Sequence, residues 1–306
     1  MSDKISEVLQ NQRHQAVFPI VGVDHCSWLL KYDFAEVVHD GEKIARVLEY
    51  GYRLYDYDMV LVFLDPYVEA EAMGCELEFK PYPRIKAQSK GSGCTNRTKE
   101  IIKAARILKH NVQVPVFVSI KGPFSLASFL AGTEDFLKIL LTGEREVLKY
   151  LEKALEFQIS YLNRLLKLDV HIFIGDPMAS ASVISPNLFR KFAFEPLGLL
   201  IKNINRAGLI AGLHICGETL PLIPILDELK ADILSIEDIK PKAKTLKMGG
   251  VSTTTILSGS VEKIKNEVKD ALKEDRLILA TSCDVPAETN PDNLKTMIKT
   301  ARGLSV

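Results

Sequence analysis

Eight short apolar runs rich in β-branched residues punctuate the chain: AVFPIVGV, DMVLVFL, PVFVSI, VHIFIG, LIAGLH, ADILSIE, TTILSG and RLILATS. Runs of this length, bounded by polar or glycine-containing stretches, predict strands. The segments between them carry helical periodicity. AEVVHDGEKIARVLEYGYRL is amphipathic, SPNLFRKFAFEPLGLLIKNI has a proline near its start, and SVEKIKNEVKDALKED opens on a serine N-cap. Strand and helix therefore alternate. Apolar strands separated by helices predict a parallel sheet covered by helices, and eight such units predict closure into a (β/α)8 TIM barrel. An open doubly wound sheet is the alternative, disfavoured because no GxGxxG or P-loop glycine pattern follows the first strand.

Two stretches exceed a minimal barrel. Asp65 to Arg97 is long, polar and rich in proline and glycine toward its end, which predicts an elaborated loop after the second strand that shapes the substrate entrance. Between PVFVSI and VHIFIG lie two helical segments, SLASFLAG and EREVLKYLEKALEFQISYLNRLLKL. No internal repeat, low-complexity tract or linker interrupts the pattern, so residues 1–306 are read as a single domain.

Composition narrows the function classes. Of the 306 residues, 47% are hydrophobic and 25% charged, as in globular proteins with a sizeable core. Lysine plus arginine equal aspartate plus glutamate at 39 each, so the overall charge favours neither nucleic acid nor an anionic membrane as a partner. The polar N-terminal residues and the lack of a run of about 18 apolar residues predict a cytoplasmic protein without a membrane span. Five scattered cysteines, Cys26, Cys75, Cys94, Cys216 and Cys283, fit reduced thiols or metal ligands better than disulfides.

In barrels of this kind, functional groups gather at the carboxyl ends of the strands. The predicted ends carry Asp24 and His25, Asp65, Lys121, Asp176, His214 and Cys216, Glu237 and Asp238, Gly259, and Ser282 with Cys283. His214 and Cys216, two apart, can point to the same interior. Closure of the barrel would bring Cys283 to the same rim. One imidazole and two thiolates suit zinc and leave a fourth position open, the arrangement of catalytic sites. Spacing alone admits equally a buried, apolar-like cysteine beside a hydrogen-bonded core histidine.

The segments LHICGET (Leu213 to Thr219), ADILSIED, TILSGSV and TSCDVPAETNPDNLKTMI together resemble the uroporphyrinogen decarboxylase superfamily. VEAEAMGCE, KGPFSLASFLAG and GDPMASASVISPNLFRKF are similar to its cobalamin-dependent methyltransferase branch, so the likeness spans nearly the whole chain. The resemblance implies a TIM barrel in which His214, Cys216 and Cys283 bind zinc. It also implies methyl transfer between a small substrate and the cobalt of a separate corrinoid protein. The substrate would be a thiol acceptor such as coenzyme M, or an aromatic methyl ether as in O-demethylase systems, for which Trp28, Phe63 and Tyr67 would line a roomy pocket. A decarboxylase working without metal is the alternative. It is disfavoured because the N-terminal region, VFPIVGVDHCSWLL, has no arginine to bind a polycarboxylate tetrapyrrole, and because that reaction gives the cysteines no role.

The remaining candidates have plainer readings beside the functional ones. Asp176 is expected to orient substrate or a ligand histidine, or else to cap a helix; Glu237 to support zinc, act as a base or pair with Lys121. His25 is expected as a catalytic or supporting pocket group, its neighbour Cys26 facing the other way on a strand. Trp28, Asp65, Tyr67 and Lys121 are expected to contact substrate. Asp169, His171 and Gly175 are read as structural despite a superficial likeness to a cobalt-ligating DxHxxG motif, as are Cys75 and Cys94.

Overall fold

The computed structural model describes residues 3–80, 82–89 and 97–303. Its frame is an eight-stranded, all-parallel sheet: β1 (Gln15–Val17), β2 (Val60–Val62), β3 (Val116–Lys121), β4 (His171–Gly175), β5 (Ala211–His214), β6 (Ile233–Ser235), β7 (Leu246–Val251) and β8 (Leu277–Thr281). Backbone ladders run without a break from β2 through β3 to β8 and on to β1. Helices connect the strands except β6 and β7, which a loop joins, and aliphatic and aromatic side chains fill the interior. This is the predicted barrel. No helix among the described residues is long and apolar enough to cross a membrane.

The two ends of the ladder, β1 and β2, meet through one residue. Asp58 donates its backbone N–H to Val17 O at 2.9 Å, and its Oδ2 accepts the Val17 N–H at 2.7 Å. Its other oxygen takes Lys4 Nζ at 2.7 Å and Arg302 Nη2 at 3.2 Å. A buried carboxylate thus replaces the missing ladder and ties both chain termini to the seam, satisfying a strand N–H that would otherwise be orphaned.

Seven of the eight predicted runs contain a barrel strand, and TTILSG does not: Thr253–Ser258 is a helix and Gly259 follows its end. The seventh strand is LKMGGV, whose paired glycines and single β-branched residue hide it from a propensity reading. The glycines have a packing cause. A side chain at Gly250 would lie 2.6 Å from Ala271 Cβ on the helix Val261–Ala271, and one at Gly249 would lie 2.5 Å from Ile236 O. The first run is strand only over its first part: the ladder ends before Pro19, which has no N–H, and Val23–Leu30 is a helix. The helix predicted over 35–54 breaks into Phe34–Val37 and Gly41–Tyr55, the second capped by Asp40.

The long segment after β2 has structure of its own. It holds a short helix, Val68–Ala72, and an antiparallel hairpin of Glu76–Phe79 and Pro83–Ala87. Cys94 lies outside the described residues. Arg97 anchors the return. Only 1% exposed, it donates to Asp65 and, at 2.5 Å, to Glu71, and its guanidinium lies 5.1 Å from the Phe79 ring centre. Asp65 is therefore corrected from a substrate contact to one half of a buried ion pair, its second oxygen accepting Tyr67 N–H at 2.9 Å. Between β3 and β4 there are three helices where two were predicted: Pro123–Ala131, Thr133–Thr142 and Glu144–Leu166.

Replacing Asp58 with alanine strips the seam of its acceptor and leaves the buried Val17 N–H unpaired. The expected loss is about 2–3 kcal/mol in urea unfolding; a loss below roughly 0.5 kcal/mol would show that the seam closes without it.

Candidate active site at the barrel mouth

Parallel pairing sets the geometry of the site. Lys121, Gly175, His214, Ser235 and Met248 are successive lateral partners on β3 to β7, and side chains level with one another on adjacent strands point the same way. All five line one cavity of about 230 Å3 at the carboxyl ends of the strands. Its remaining walls are mostly apolar, with Ile20, Leu61, Phe63 and Phe173, and Cys216, Cys283 and Asp284 reach it from the loops after β5 and β8.

Within this cavity, His214, Cys216 and Cys283 present one nitrogen and two sulfurs that all lie within 4.8 Å of one another. His214 Nε2 stands 3.0 Å from Cys216 Sγ and 3.9 Å from Cys283 Sγ. On the other side of the ring, Nδ1 is 3.0 Å from Ser235 Oγ. A serine that accepts the Nδ1 proton leaves the Nε2 lone pair facing the sulfurs. The hydrogen bond from Cys216 lowers the pKa of Cys283, and the same bond pushes Cys216 up. Thr281 Oγ1 donates to Cys283 O at 2.7 Å and accepts Ile20 N–H at 2.9 Å, fixing the turn that carries this cysteine.

Ser235 and Asp284 were not singled out from the sequence. Ser235 is visible as a partner only once the β5–β6 register is known. Asp284 follows Cys283 directly, and its Oδ1 is buried without a hydrogen-bond partner among the described residues. Burial, then the nearby charges of Asp24 and Cys283, raise its pKa well above the ordinary value; burial raises Asp24 to about 6.

Other predicted site residues have different surroundings. His25 lies on the helix Val23–Leu30, not on a strand, and both ring nitrogens are occupied: Nδ1 by Ala287 O at 2.9 Å and Nε2 by Tyr55 Oη at 2.7 Å. Burial lowers its pKa. A buried, satisfied, neutral imidazole outside the cavity lining is structural, which corrects its catalytic reading. Trp28, on the same helix, is 46% exposed and stacks on His25, while Tyr67 packs edge-on against Phe129 at 5.0 Å. Of the three aromatics expected to line the pocket, only Phe63 does. Glu237 is exposed, away from the cavity lining, and accepts Gly217 N–H at 2.6 Å, bracing the turn just after Cys216. Asp176 is fully buried and accepts Ser125 N–H at 2.7 Å, Ser125 Oγ–H at 2.5 Å and Phe124 N–H at 3.4 Å. It caps the helix Pro123–Ala131, the plainer of its two readings.

With the geometry in hand, comparison with known proteins places the chain. Residues 24–304 match the family described as uroporphyrinogen decarboxylase (URO-D). The chain belongs to the uroporphyrinogen decarboxylase family. Among its relatives, a methylcobamide:CoM methyltransferase of Methanosarcina mazei is 28% identical over 288 residues, covering 86% of this chain and 85% of that protein. A uroporphyrinogen decarboxylase of Thermodesulfovibrio yellowstonii is also 28% identical, over 269 residues, covering 79% and 77%. A solved methyltransferase from Methanosarcina mazei superposes with a TM-score of 0.85 at 24% identity, covering 97% of this chain and 96% of that one, which confirms the fold. The resemblance drawn from the motifs is borne out at the level of family and branch.

Burial raises the Asp176 pKa from 3.8 to about 6. Because the folded value exceeds the unfolded one, its contribution to stability is complete below pH 3.8 and is lost as pH rises through 6. Asp176→Asn cannot ionise. Melting curves should therefore show the wild type gaining on the variant as pH falls from 7.5 to 4.5, and a gap independent of pH would refute this origin.

Proposed function

We propose that this chain is a corrinoid-dependent methyltransferase that carries a methyl group from the cobalt of a separate corrinoid protein to the sulfur of a small thiol, using zinc held by His214, Cys216 and Cys283. The observation that carries the reading is the convergence of one imidazole nitrogen and two sulfurs on the wall of a small cavity. Ligands at tetrahedral zinc distances stand about 3.5–3.8 Å from one another. The observed 3.0 and 3.9 Å bracket that separation, and the donor set is one that zinc favours. The metal would supply Lewis acidity at the open fourth position, making a thiol nucleophilic at neutral pH.

The chain's own groups do the rest. Ser235 holds the His214 ring in the tautomer that turns Nε2 inward. Glu237 and Thr281 brace the two turns from which Cys216 and Cys283 project. Ile20, Leu61, Phe63 and Phe173 keep the cavity apolar, which excludes water from an alkylation step and strengthens each charge within it. The relatives named for transfer between methylcobamide and CoM support the reaction class and the thiol acceptor.

Cavity size and polarity weigh against the alternatives. A volume of about 230 Å3 suits a molecule of a few heavy atoms and is far too small for a tetrapyrrole. Lys121 is the one cationic side chain in its lining, whereas a polycarboxylate would need several. An aromatic ether has only Phe63 and Phe173 for ring contacts.

Purified protein is expected to carry about one zinc per chain. Cys216→Ser and Cys283→Ser should each lose the metal and lower transfer from methylcobalamin to coenzyme M by roughly 100-fold or more, and Ser235→Ala should weaken zinc by roughly 10-fold. Undiminished transfer by metal-free protein, or metal-independent turnover of uroporphyrinogen, sinks the proposal.

A further inference from the structure

The two sulfurs of the site are placed in different ways. Cys216 is two residues from His214, whereas Cys283 is 69 positions along the chain from it and lies in the loop between β8 and the helix Pro291–Ala301. Where the Cys283 sulfur stands therefore depends on what anchors that loop. Three hydrogen bonds stitch it to the segment after β1. Ile20 N–H donates to Thr281 Oγ1 at 2.9 Å, Val285 N–H donates to Ile20 O at 2.8 Å, and His25 Nδ1 lies 2.9 Å from Ala287 O. The last of these holds the far side of the loop, beyond the cysteine.

The surroundings of the His25 ring fit it for that contact. A carbonyl can only accept, so Nδ1 carries the proton and Nε2 accepts from Tyr55 Oη at 2.7 Å. Tyr55 thus selects the tautomer of His25 as Ser235 does that of His214. The imidazole is fully buried, stacked with Tyr55 and Trp28 at ring-centre distances of 5.9 and 6.4 Å. Ala287 is 8% exposed, so losing the Nδ1 donor would cost its carbonyl a partner where water does not readily replace it.

We propose that His25, oriented by Tyr55, is a positioning residue for Cys283: it clamps the loop at Ala287 and so sets where the sulfur stands relative to His214 and Cys216. Its consequence at the metal rests on the zinc reading above, while the clamp itself belongs to the metal-free chain.

Two substitutions separate the N–H from the bulk of the ring. Asparagine places an amide N–H near the position of Nδ1, whereas leucine fills similar space with no donor. In metal-free protein, hydrogen exchange of the amides between Cys283 and Thr289 should accelerate roughly 10-fold in His25→Leu, as for one lost hydrogen bond, and stay within roughly threefold of wild type in His25→Asn. Amides of Gly217 to Thr219, beside the other cysteine, should change in neither. Zinc affinity, read by competition with a chelator, should fall roughly 10-fold in His25→Leu and recover in His25→Asn. A histidine that merely stabilised the fold would lower Tm without this pattern. Tyr55→Phe should move both readouts in the same direction, and it carries the test if His25→Leu does not fold. Unchanged loop exchange in the folded variants, unchanged zinc affinity where the wild type binds zinc, or His25→Asn as impaired as His25→Leu, overturns the proposal. Selective loosening of this loop in a chain whose wild type binds no zinc would uphold the clamp and reject the metal.

Discussion

Curvature of the parallel sheet is the constraint on which the rest of the molecule depends. β5 and β8 are three positions apart in the ladder, so a flat sheet would separate them by about 14 Å. In the curled barrel, Cys283 Sγ, just beyond β8, instead stands 3.9 Å from the imidazole at the end of β5. No local sequence motif could bring these groups together. The side chains gathered at the mouth are consequences of strand register and closure, and Asp58 secures that closure where the ladder itself stops.

Electrostatics at the mouth follow from the same burial. Asp284 follows Cys283 directly, and burial, then the charges of Asp24 and Cys283, raise its pKa. Burial likewise raises the Asp24 pKa to about 6. Asp176, another buried carboxyl, discharges its own demand on the N–H groups of a helix. Among the described residues, Lys121 is the lysine of the cavity lining and has no bonded side-chain partner.

Features that depend on local periodicity were legible in the sequence. These include most of the barrel strands, the serine cap at Ser260, and the His-x-Cys pair whose two members share an interior. The errors share one origin, which is that partners lie far along the chain. LKMGGV reads as a poor strand because Gly250 makes room for a helix and Gly249 for the Ile236 carbonyl just after β6. Asp65 reads as a free carboxylate because Arg97 is 32 residues away. His25 reads as reactive because Tyr55 and Ala287, which occupy its nitrogens, come from elsewhere in the fold. Ser235 was missed because a serine within an apolar strand acquires meaning only through the neighbour that register sets beside it.

The same logic explains how one barrel can serve chemistries as different as those of the relatives it resembles. Strand ends fix where side chains point, while the choice of residue at each end sets what the cavity can hold. Here glycine at the end of β4 clears a path, serine at the end of β6 orients a histidine, and lysine at the end of β3 supplies charge. A polycarboxylate would need a wider mouth and several cations. This lining has one lysine and two sulfurs in mostly apolar surroundings, so the residues at the strand ends, and not the frame, decide what it can hold.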